Sequence, residues 1–222
     1  MAKISFRKSN SMLSLVFVAL TIMVSFLLCQ GITPASAQTI VDDWSKVQAP
    51  KPPELKTVTL DPKTTALLVL DFVKQTCNTE RRPRCLTSVP HVQALLKLAR
   101  DKGVLVVHSI TTAATSADIL KDVAPLDGEP IVKSSADKFF KTDLEKILND
   151  KVIKTVVVVG TAAHGAVLNT ASQAAFRGLQ VIIPVDGMSS ENTYFEQYTA
   201  HHLGNAPGIG QQVTLTKIDM IK

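Results

Sequence analysis

Short, almost uniformly apolar runs alternate with amphipathic stretches from Thr65 to the end of the chain. The runs ALLVLDF (66–72), VLVVHS (104–109) and TVVVVG (155–160) contain few polar residues, which is typical of strands buried on both faces of a parallel sheet. Two further strands are predicted by LQVIIPVDG (179–187) and QQVTLT (211–216). Because parallel strands need crossover connections, we expect helices between them.

The stretches between these runs show helical periodicity. The first helix is predicted to begin at Ser88, as N-cap, and to end at Gly103, with one apolar face formed by Val92, Leu95, Leu96 and Ala99. Thr142 and Glu145 form a capping box that predicts the next helix. The remaining helices are predicted over 166–177 and 189–203.

This alternation predicts one three-layer α/β/α domain over residues 60–222, with a mostly parallel, roughly six-stranded, Rossmann-like sheet. The Pro-rich residues 38–59 are interpreted as an arm or linker. Residues 1–37 have the features of a signal peptide, because basic residues precede an apolar run and Ala35 and Ala37 form an A-x-A cleavage site. A retained membrane anchor is the alternative. We expect cleavage near Ala37, a secreted or periplasmic protein, and no stable membrane insertion afterwards.

Charge and cysteine content narrow the class of protein. Removing residues 1–37 takes away three basic and no acidic residues, so the formal net charge falls from +5 to +2 and gives no indication of nucleic-acid binding. Two cysteines then remain, Cys77 and Cys85, and export into an oxidising compartment favours a disulfide between them. Two free thiols or a metal site are the alternatives, and only His91 stands nearby as a further ligand.

Parallel strands place their carboxyl ends at one edge of the sheet, where open α/β domains hold their chemistry. We therefore expect polar groups from four places at this edge, namely Asp71, His108, the loop 160–166 and Asp186. The segment between the cysteines follows the first strand at the same edge and carries three arginines, Arg81, Arg82 and Arg84. These arginines form either a solvated loop or a clamp for a carboxylate.

Three blocks of sequence, in the right order, resemble the isochorismatase-like superfamily, which includes cysteine hydrolases. ALLVLDF resembles the strand that ends in the family's catalytic Asp, and IVKSSADKFFKTDLEKIL (131–148) resembles the block in which a Lys precedes an SAF..T.L segment. VVVVGTAAHGAVLNTASQAAFRGLQVIIPVDG (156–187) resembles its final signature. Together the blocks cover about residues 60–222, and the resemblance implies a hydrolase.

The resemblance assigns roles to individual residues. Asp71 matches the general acid/base, and Lys133 matches the catalytic lysine. Lys138 and Lys141 lie in the same stretch, but the spacing of nine residues to Thr142 favours Lys133. Ala166 occupies the position of the nucleophilic cysteine, so the nucleophile is absent.

The loop before Ala166 matches substrate-contacting positions. Ala162 and Ala163 fall where the family has a cis peptide that aims backbone donors at the substrate. His164 is assigned either to substrate binding or to a structural role, and Arg84 to substrate binding. No D-x-H or H-x-H cluster follows the second strand, so no metal and no other cofactor is predicted. Members of the superfamily commonly associate, so a homo-oligomer is expected.

A missing cysteine is compatible with catalysis. Isochorismatases of the superfamily also lack it, show Ala-His just before that position, and protonate an enol ether, for which an acid suffices. The sequence thus predicts an exported hydrolase that uses Asp71 and Lys133 to act on a small molecule. This substrate would be anionic if the arginines between the two cysteines bind it. The alternative is a catalytically inactive pseudo-hydrolase that binds a small molecule or a protein partner. A cysteine exchanged for alanine at position 166 is a third interpretation.

Overall fold

The apolar runs form one sheet in the computed structural model, which describes residues 39–222. The predicted signal segment 1–37 lies outside the described residues. Seven strands are present among them: β1 Thr65–Leu70, β2 Leu105–Ile110, β3 Ile131–Lys133, β4 Thr155–Thr161, β5 Gln180–Pro184, β6 Met188–Ser189 and β7 Val213–Thr216. The two strands that the hydrophobic pattern missed, β3 and β6, have only three and two residues, too few to show a period.

The sheet is parallel throughout, with the order β3-β2-β1-β4-β5-β7 and with β6 paired to β4. The two central strands, β1 and β4, are buried along nearly their whole length, which explains their continuous apolar character. Leu70 pairs with both Ser109 and Gly160, so the carboxyl ends of β1, β2 and β4 lie side by side. This edge of the sheet is called the carboxyl edge below.

Helices cover both faces of the sheet and complete the predicted three layers. One hydrophobic core lies between the sheet and α2 (Pro83–Lys102), and the other lies beneath α3 (Leu144–Asp150), α4 (Leu168–Phe176) and α5 (Thr193–Asn205). The predicted apolar face of α2 is confirmed, since Val92, Leu95, Leu96 and Ala99 are fully buried. Gly103 ends this helix in the left-handed conformation, as predicted.

Three predicted helix starts are wrong. The helix predicted over 189–203 begins at Thr193, after its N-cap Asn192. The first helix begins at Pro83 rather than at Ser88, because proline is favoured in the first turn and the buried Ser88 hydroxyl donates to the Cys85 carbonyl instead of capping. The capping box at Thr142 is also absent. The Thr142 hydroxyl bonds the carbonyl of Lys138, and helix α3 starts at Leu144.

The Pro-rich arm was predicted to end at residue 59, but its last residues already form backbone hydrogen bonds with the domain. The backbone N–H of Lys56 donates to the Leu215 carbonyl, and Val58 forms a parallel bridge with Ile221. The compact unit accordingly begins at Pro50. The residues before it that the structure describes contain a four-residue helix, α1 (Ile40–Asp43), and a 3₁₀ turn with exposed Trp44.

Candidate active site

The centre of the carboxyl edge is a buried carboxylate at the end of β1. Asp71 is 4% exposed and has a left-handed backbone with φ of 58°, which turns the chain sharply out of the strand. Its Oδ1 accepts a hydrogen bond from the Ser109 hydroxyl at 2.8 Å, and its Oδ2 accepts one from Lys138 Nζ at 2.7 Å. The Thr76 hydroxyl donates to the Asp71 carbonyl at 2.6 Å and fixes the turn.

The lysine that contacts Asp71 is Lys138, whereas the resemblance assigned the catalytic role to Lys133. Lys133 is exposed on the edge strand β3, and within residues 39–222 it forms no ion pair with Asp71. Lys138 is fully buried, and its ammonium also donates to the carbonyls of Ser134 at 3.2 Å and Ser135 at 2.5 Å. These three acceptors match its three donors.

The path of the chain after β3 explains why Lys138, rather than Lys133, reaches Asp71. The backbone N–H of Lys138 donates to the buried Thr170 hydroxyl of α4 at 3.2 Å. The Lys138 carbonyl accepts from Thr142 at 2.5 Å. The segment therefore folds back onto α4 and directs Lys138, five residues past Lys133, towards the end of β1.

Burial dominates the acid–base behaviour of Asp71. Desolvation raises the pKa of this carboxyl above its ordinary value of 3.8, and the opposing effects of Lys138, Ser109 and Arg82 do not cancel it. Protonation is thus easier for Asp71 than for a solvated aspartate. A carboxyl with these properties can serve as a general acid.

The loop after β4 brings Ala166 to the same edge. Gly160 precedes it, and a Cβ at this position would lie 2.6 Å from the Leu70 Cβ, so only glycine permits the close approach of β1 and β4. A non-proline cis peptide bond joins Thr161 to Ala162. The resemblance implied a cis peptide at Ala162 and Ala163, one bond further along the chain. Ala163–Val167 form a π-helical turn in which Ala166 is 4% exposed and packs in the hydrophobic core. No side chain at this position can act as a nucleophile.

His164 is held by hydrogen bonding and by stacking. Its Nδ1 lies 2.7 Å from the Ser190 hydroxyl oxygen, and its ring stacks on Phe195 with centroids 4.0 Å apart. Ser190 in turn donates to Glu191 at 2.9 Å. The ring is therefore fixed in orientation.

The three arginines of the disulfide segment have different environments. Arg81 is exposed. Arg84, which the sequence assigned to substrate binding, forms a two-pronged ion pair with Glu196 at 2.8 and 2.5 Å. Arg82 is the buried one: it is 8% exposed, and its Nε donates to Glu191 at 2.8 Å. Burial alone would raise the pKa of Glu191, but the bonds from Arg82 and Ser190 and its own backbone lower it to about 2.

The predicted disulfide is present. Cys77 and Cys85 are joined, with their Cα atoms 5.3 Å apart. The bridge links the turn after Asp71 to the first turn of α2. It therefore fixes the segment that carries Arg82.

Two other residues predicted at this edge have structural partners. His108 Nε2 lies 3.0 Å from Glu129, which also accepts two bonds from Arg100. Asp186 accepts the backbone N–H of Ile218 at 2.9 Å, as expected of a residue that binds loop amides. Among residues 39–222, no group of three His, Cys, Asp or Glu side chains is placed to hold a metal ion.

A parallel sheet covered by helices on both faces, with a buried carboxyl–lysine pair at its carboxyl edge, places the chain among the open α/β domains that bind ligands at this edge. Residues 65–215 match the family model of the Isochorismatase domain, and the chain belongs to this family. The recognised resemblance is therefore confirmed.

Characterised relatives are similar over part of the chain. The secreted isochorismatase effector Isc1 of Verticillium dahliae is 31% identical over 116 residues, covering 47% of this chain and 61% of the relative. N-carbamoylsarcosine amidase of Arthrobacter sp. is 29% identical over 154 residues, covering 57% and 58%. The chain thus spans about three-fifths of the length of these two relatives.

Solved structures confirm the fold over a larger share. An isochorismatase-like hydrolase from Alkaliphilus metalliredigens has a TM-score of 0.64 and 23% identity, with 70% of this chain and 87% of that chain covered. A cysteine hydrolase from Pseudomonas syringae pv. phaseolicola has a TM-score of 0.65 and 17% identity, with 75% and 94% covered.

Proposed function

We propose that this protein is an exported hydrolase of small molecules that uses Asp71 as its acid–base group and Lys138 as its charged partner, without a cysteine nucleophile. The observation that supports this proposal best is the Asp71–Lys138 pair, fully enclosed at the carboxyl edge of the sheet, where the pKa of Asp71 is raised.

The chemistry that fits these groups begins with proton donation. For an enol ether, the proton of neutral Asp71 forms a C–H bond at the terminal alkene carbon, and the adjacent carbon becomes an oxocarbenium ion. Water adds to this carbon and loses a proton to the Asp71 carboxylate, and the hemiketal then releases the alcohol and leaves a carbonyl. Lys138 and Ser109 stabilise the carboxylate between these two proton transfers, because both donate to it directly.

Export is supported by three independent features. The first is the signal-like segment 1–37, and the second is the Cys77–Cys85 bridge, which is expected in an oxidising compartment. The third is the similarity to a relative described as secreted. Intact-mass analysis of the protein from its producing cells should give a chain that begins near Gln38 and is two hydrogens lighter than the dithiol. Retention of residues 1–37 would contradict export by cleavage.

The activity is tested by a substrate screen. The purified protein is assayed against enol ethers and amides, with Asp71→Asn as the inactive variant. Asp127→Asn makes the same chemical change at an exposed position and serves as control. Turnover by the protein and by Asp127→Asn, but not by Asp71→Asn, is expected. Turnover that survives Asp71→Asn excludes the proposed mechanism, and binding without any turnover supports the pseudo-hydrolase instead.

A further inference from the structure

The first residues that the structure describes expose a strongly apolar surface. Residues 40–47, called the leading segment below, comprise helix α1, the 3₁₀ turn after it and the residue that follows. Their apolar positions recur at i, i+1, i+4 and i+7, which is one side of a helix, and their polar positions fall on the other side. The four apolar side chains are largely exposed: Ile40 57%, Val41 80%, Trp44 73% and Val47 64%. This spacing is typical of a helix that inserts apolar anchors into a groove.

The compact unit that begins at Pro50 contains a groove of matching character. The groove has a volume of about 550 Å³ and lies between the Pro-rich residues 50–56, helix α5 and strand β7; it is called the α5 groove below. Its apolar lining includes Ala200, Val213 and Leu215. Gly204 adds no side chain and keeps this part of α5 open. Such a volume and lining suit a small number of apolar side chains.

The charges of the two surfaces are complementary. The polar side of the leading segment has two aspartates and one lysine, a net charge of −1. The α5 groove is lined by two lysines and one glutamate, a net charge of +1 when its histidine is neutral. Both lysines, Lys51 and Lys56, are exposed and therefore accessible to an acidic partner. Complementary charges favour the association of these two surfaces and fix its register.

The prolines of the arm decide which copy of the groove the leading segment can enter. Pro50, Pro52 and Pro53 each restrict their own φ to about −65° and favour extended backbone in the residue before them, so the run acts as a semi-rigid spacer. The same run forms one wall of the α5 groove. Only Gln48 and Ala49 separate it from the leading segment. Entry into the groove of the same copy would require a tight reversal there, whereas entry into the groove of a second copy does not.

We propose that the leading segment of one copy of this protein docks in the α5 groove of a second copy, which docks its own leading segment in return. Reciprocal exchange gives a closed pair with a two-fold axis, in which the same contact forms twice. Ile40, Trp44 and Val47 are its apolar anchors. This inference is independent of the proposed hydrolase activity.

Oligomeric state and tryptophan fluorescence test the exchange together. Trp44 is the only tryptophan of the chain, so the emission reports the environment of the leading segment directly. Analytical ultracentrifugation of the exported protein, purified from its producing cells, should give a dimer that dissociates on dilution. The emission of Trp44 should move to longer wavelength over the same range of concentration. A monomer at every concentration, or a dimer that dissociates without a change in the emission, would overturn the inference.

Truncation of an anchor has a matched control. Ile40→Ala should raise the dissociation constant of the dimer by ~10-fold, because it removes an apolar anchor from the centre of the contact. Leu126 is also 57% exposed, but it lies beside α2 on the opposite face of the sheet. Leu126→Ala should therefore change the dissociation constant by less than ~2-fold. Equal effects of the two substitutions would contradict the exchange.

Mixing two defective variants distinguishes exchange between copies from any other use of the segment. Trp44→Ala impairs the segment and keeps the groove, whereas Lys51→Glu combined with Lys56→Glu impairs the groove through like-charge repulsion and keeps the segment. Each variant alone should be monomeric. An equal mixture should form a heterodimer with one intact contact, and the emission of its single tryptophan should move to shorter wavelength.

Two outcomes of this experiment would overturn the inference. One is a mixture that stays monomeric. The other is an emission that moves to shorter wavelength only when phosphatidylglycerol vesicles are added, since the leading segment would then bind a membrane surface rather than a second copy.

Discussion

Two neighbouring residues of β2 contact two different carboxylates, one buried and one half-buried. Ser109 donates to Asp71 on one face of the sheet, and His108 bonds to Glu129 at 3.0 Å on the other. Both carboxylates lie beside a positive side chain, Lys138 and Arg100 respectively.

Their environments separate the two carboxylates. Glu129 is more accessible than Asp71, and it accepts two bonds from Arg100, one from the backbone of Leu126 and one shared with His108. Burial would raise the pKa of Glu129, but these donors together lower it. Asp71 is more deeply buried and has fewer donors, so desolvation outweighs the donors and the pKa of Asp71 is raised. The balance between desolvation and donors thus distinguishes a carboxyl suited to chemistry from one that stabilises the fold.

The largest expected effect comes from removing each carboxylate in turn. Asp71→Asn should lower kcat/KM for a substrate found in the screen by ~10³-fold, within the usual range for a general acid. Glu129→Gln should lower the free energy of unfolding by about 1–3 kcal/mol, because Arg100 and His108 lose a charged partner. It should leave kcat/KM within about threefold. Steady-state kinetics and urea unfolding measure these effects, and equal losses of activity would remove the distinction between the clusters.

The choice of lysine sharpens the comparison. Lys138→Met should lower kcat/KM by ~10²-fold, since it leaves the buried Asp71 without its charged partner. Lys133→Met, on the exposed edge strand, should change it by about twofold at most. The reverse order, with the larger loss at Lys133, would mean that the family's spacing rather than the observed contact identifies the catalytic lysine.

A thiol introduced at the nucleophile position probes the same environment chemically. In Ala166→Cys, the start of a helix and the ammonium of Lys138 both favour thiolate, so the pKa should fall below the free value of about 8.5. Iodoacetamide at pH 7 should therefore modify it ~10-fold faster than an ordinary cysteine. Ala171→Cys, buried in the same helix, is the control and should react only on unfolding. Adding Asp71→Asn should slow the reaction at position 166, because the base is lost.

The smallest expected effect is on the pH dependence of stability, which has opposite signs in the two clusters. Burial lowers the pKa of His108 below 6.5, so the unfolded state binds more protons and stability falls as pH decreases below about 6.5. The pKa of Asp71 is raised above 3.8, so between 3.8 and that higher value the folded state binds more protons and stability rises as pH decreases.

Urea unfolding between pH 4 and 7.5 separates these contributions. As the pH decreases below about 6.5, His108→Gln should lose less stability than the unchanged protein. Over the range in which folded Asp71 takes up its proton, Asp71→Asn should gain less stability than the unchanged protein. The two differences should have opposite signs, because the pKa of His108 is lowered and that of Asp71 is raised. Parallel curves for all three proteins would show that neither group is perturbed.

The sequence by itself determined the fold and most of the backbone of the site. Uninterrupted apolar runs such as 155–160 can be buried only in the interior of a sheet, so strand order along the chain and the position of Asp71 followed directly. The sequence likewise predicted the Cys77–Cys85 disulfide, and it shows directly that position 166 is an alanine.

Only the tertiary structure decided which long side chains reach the site. Lys133 and Lys138 differ little in sequence context, and so do Arg82 and Arg84. Lys138 and Arg82 are nevertheless buried at the carboxyl edge, whereas Lys133 is exposed and Arg84 is paired with Glu196. A lysine or arginine places its charge several bonds from the backbone. Its position therefore depends on the path of irregular segments, here the fold-back onto α4 and the disulfide segment, and hydrophobic periodicity carries no information about either path.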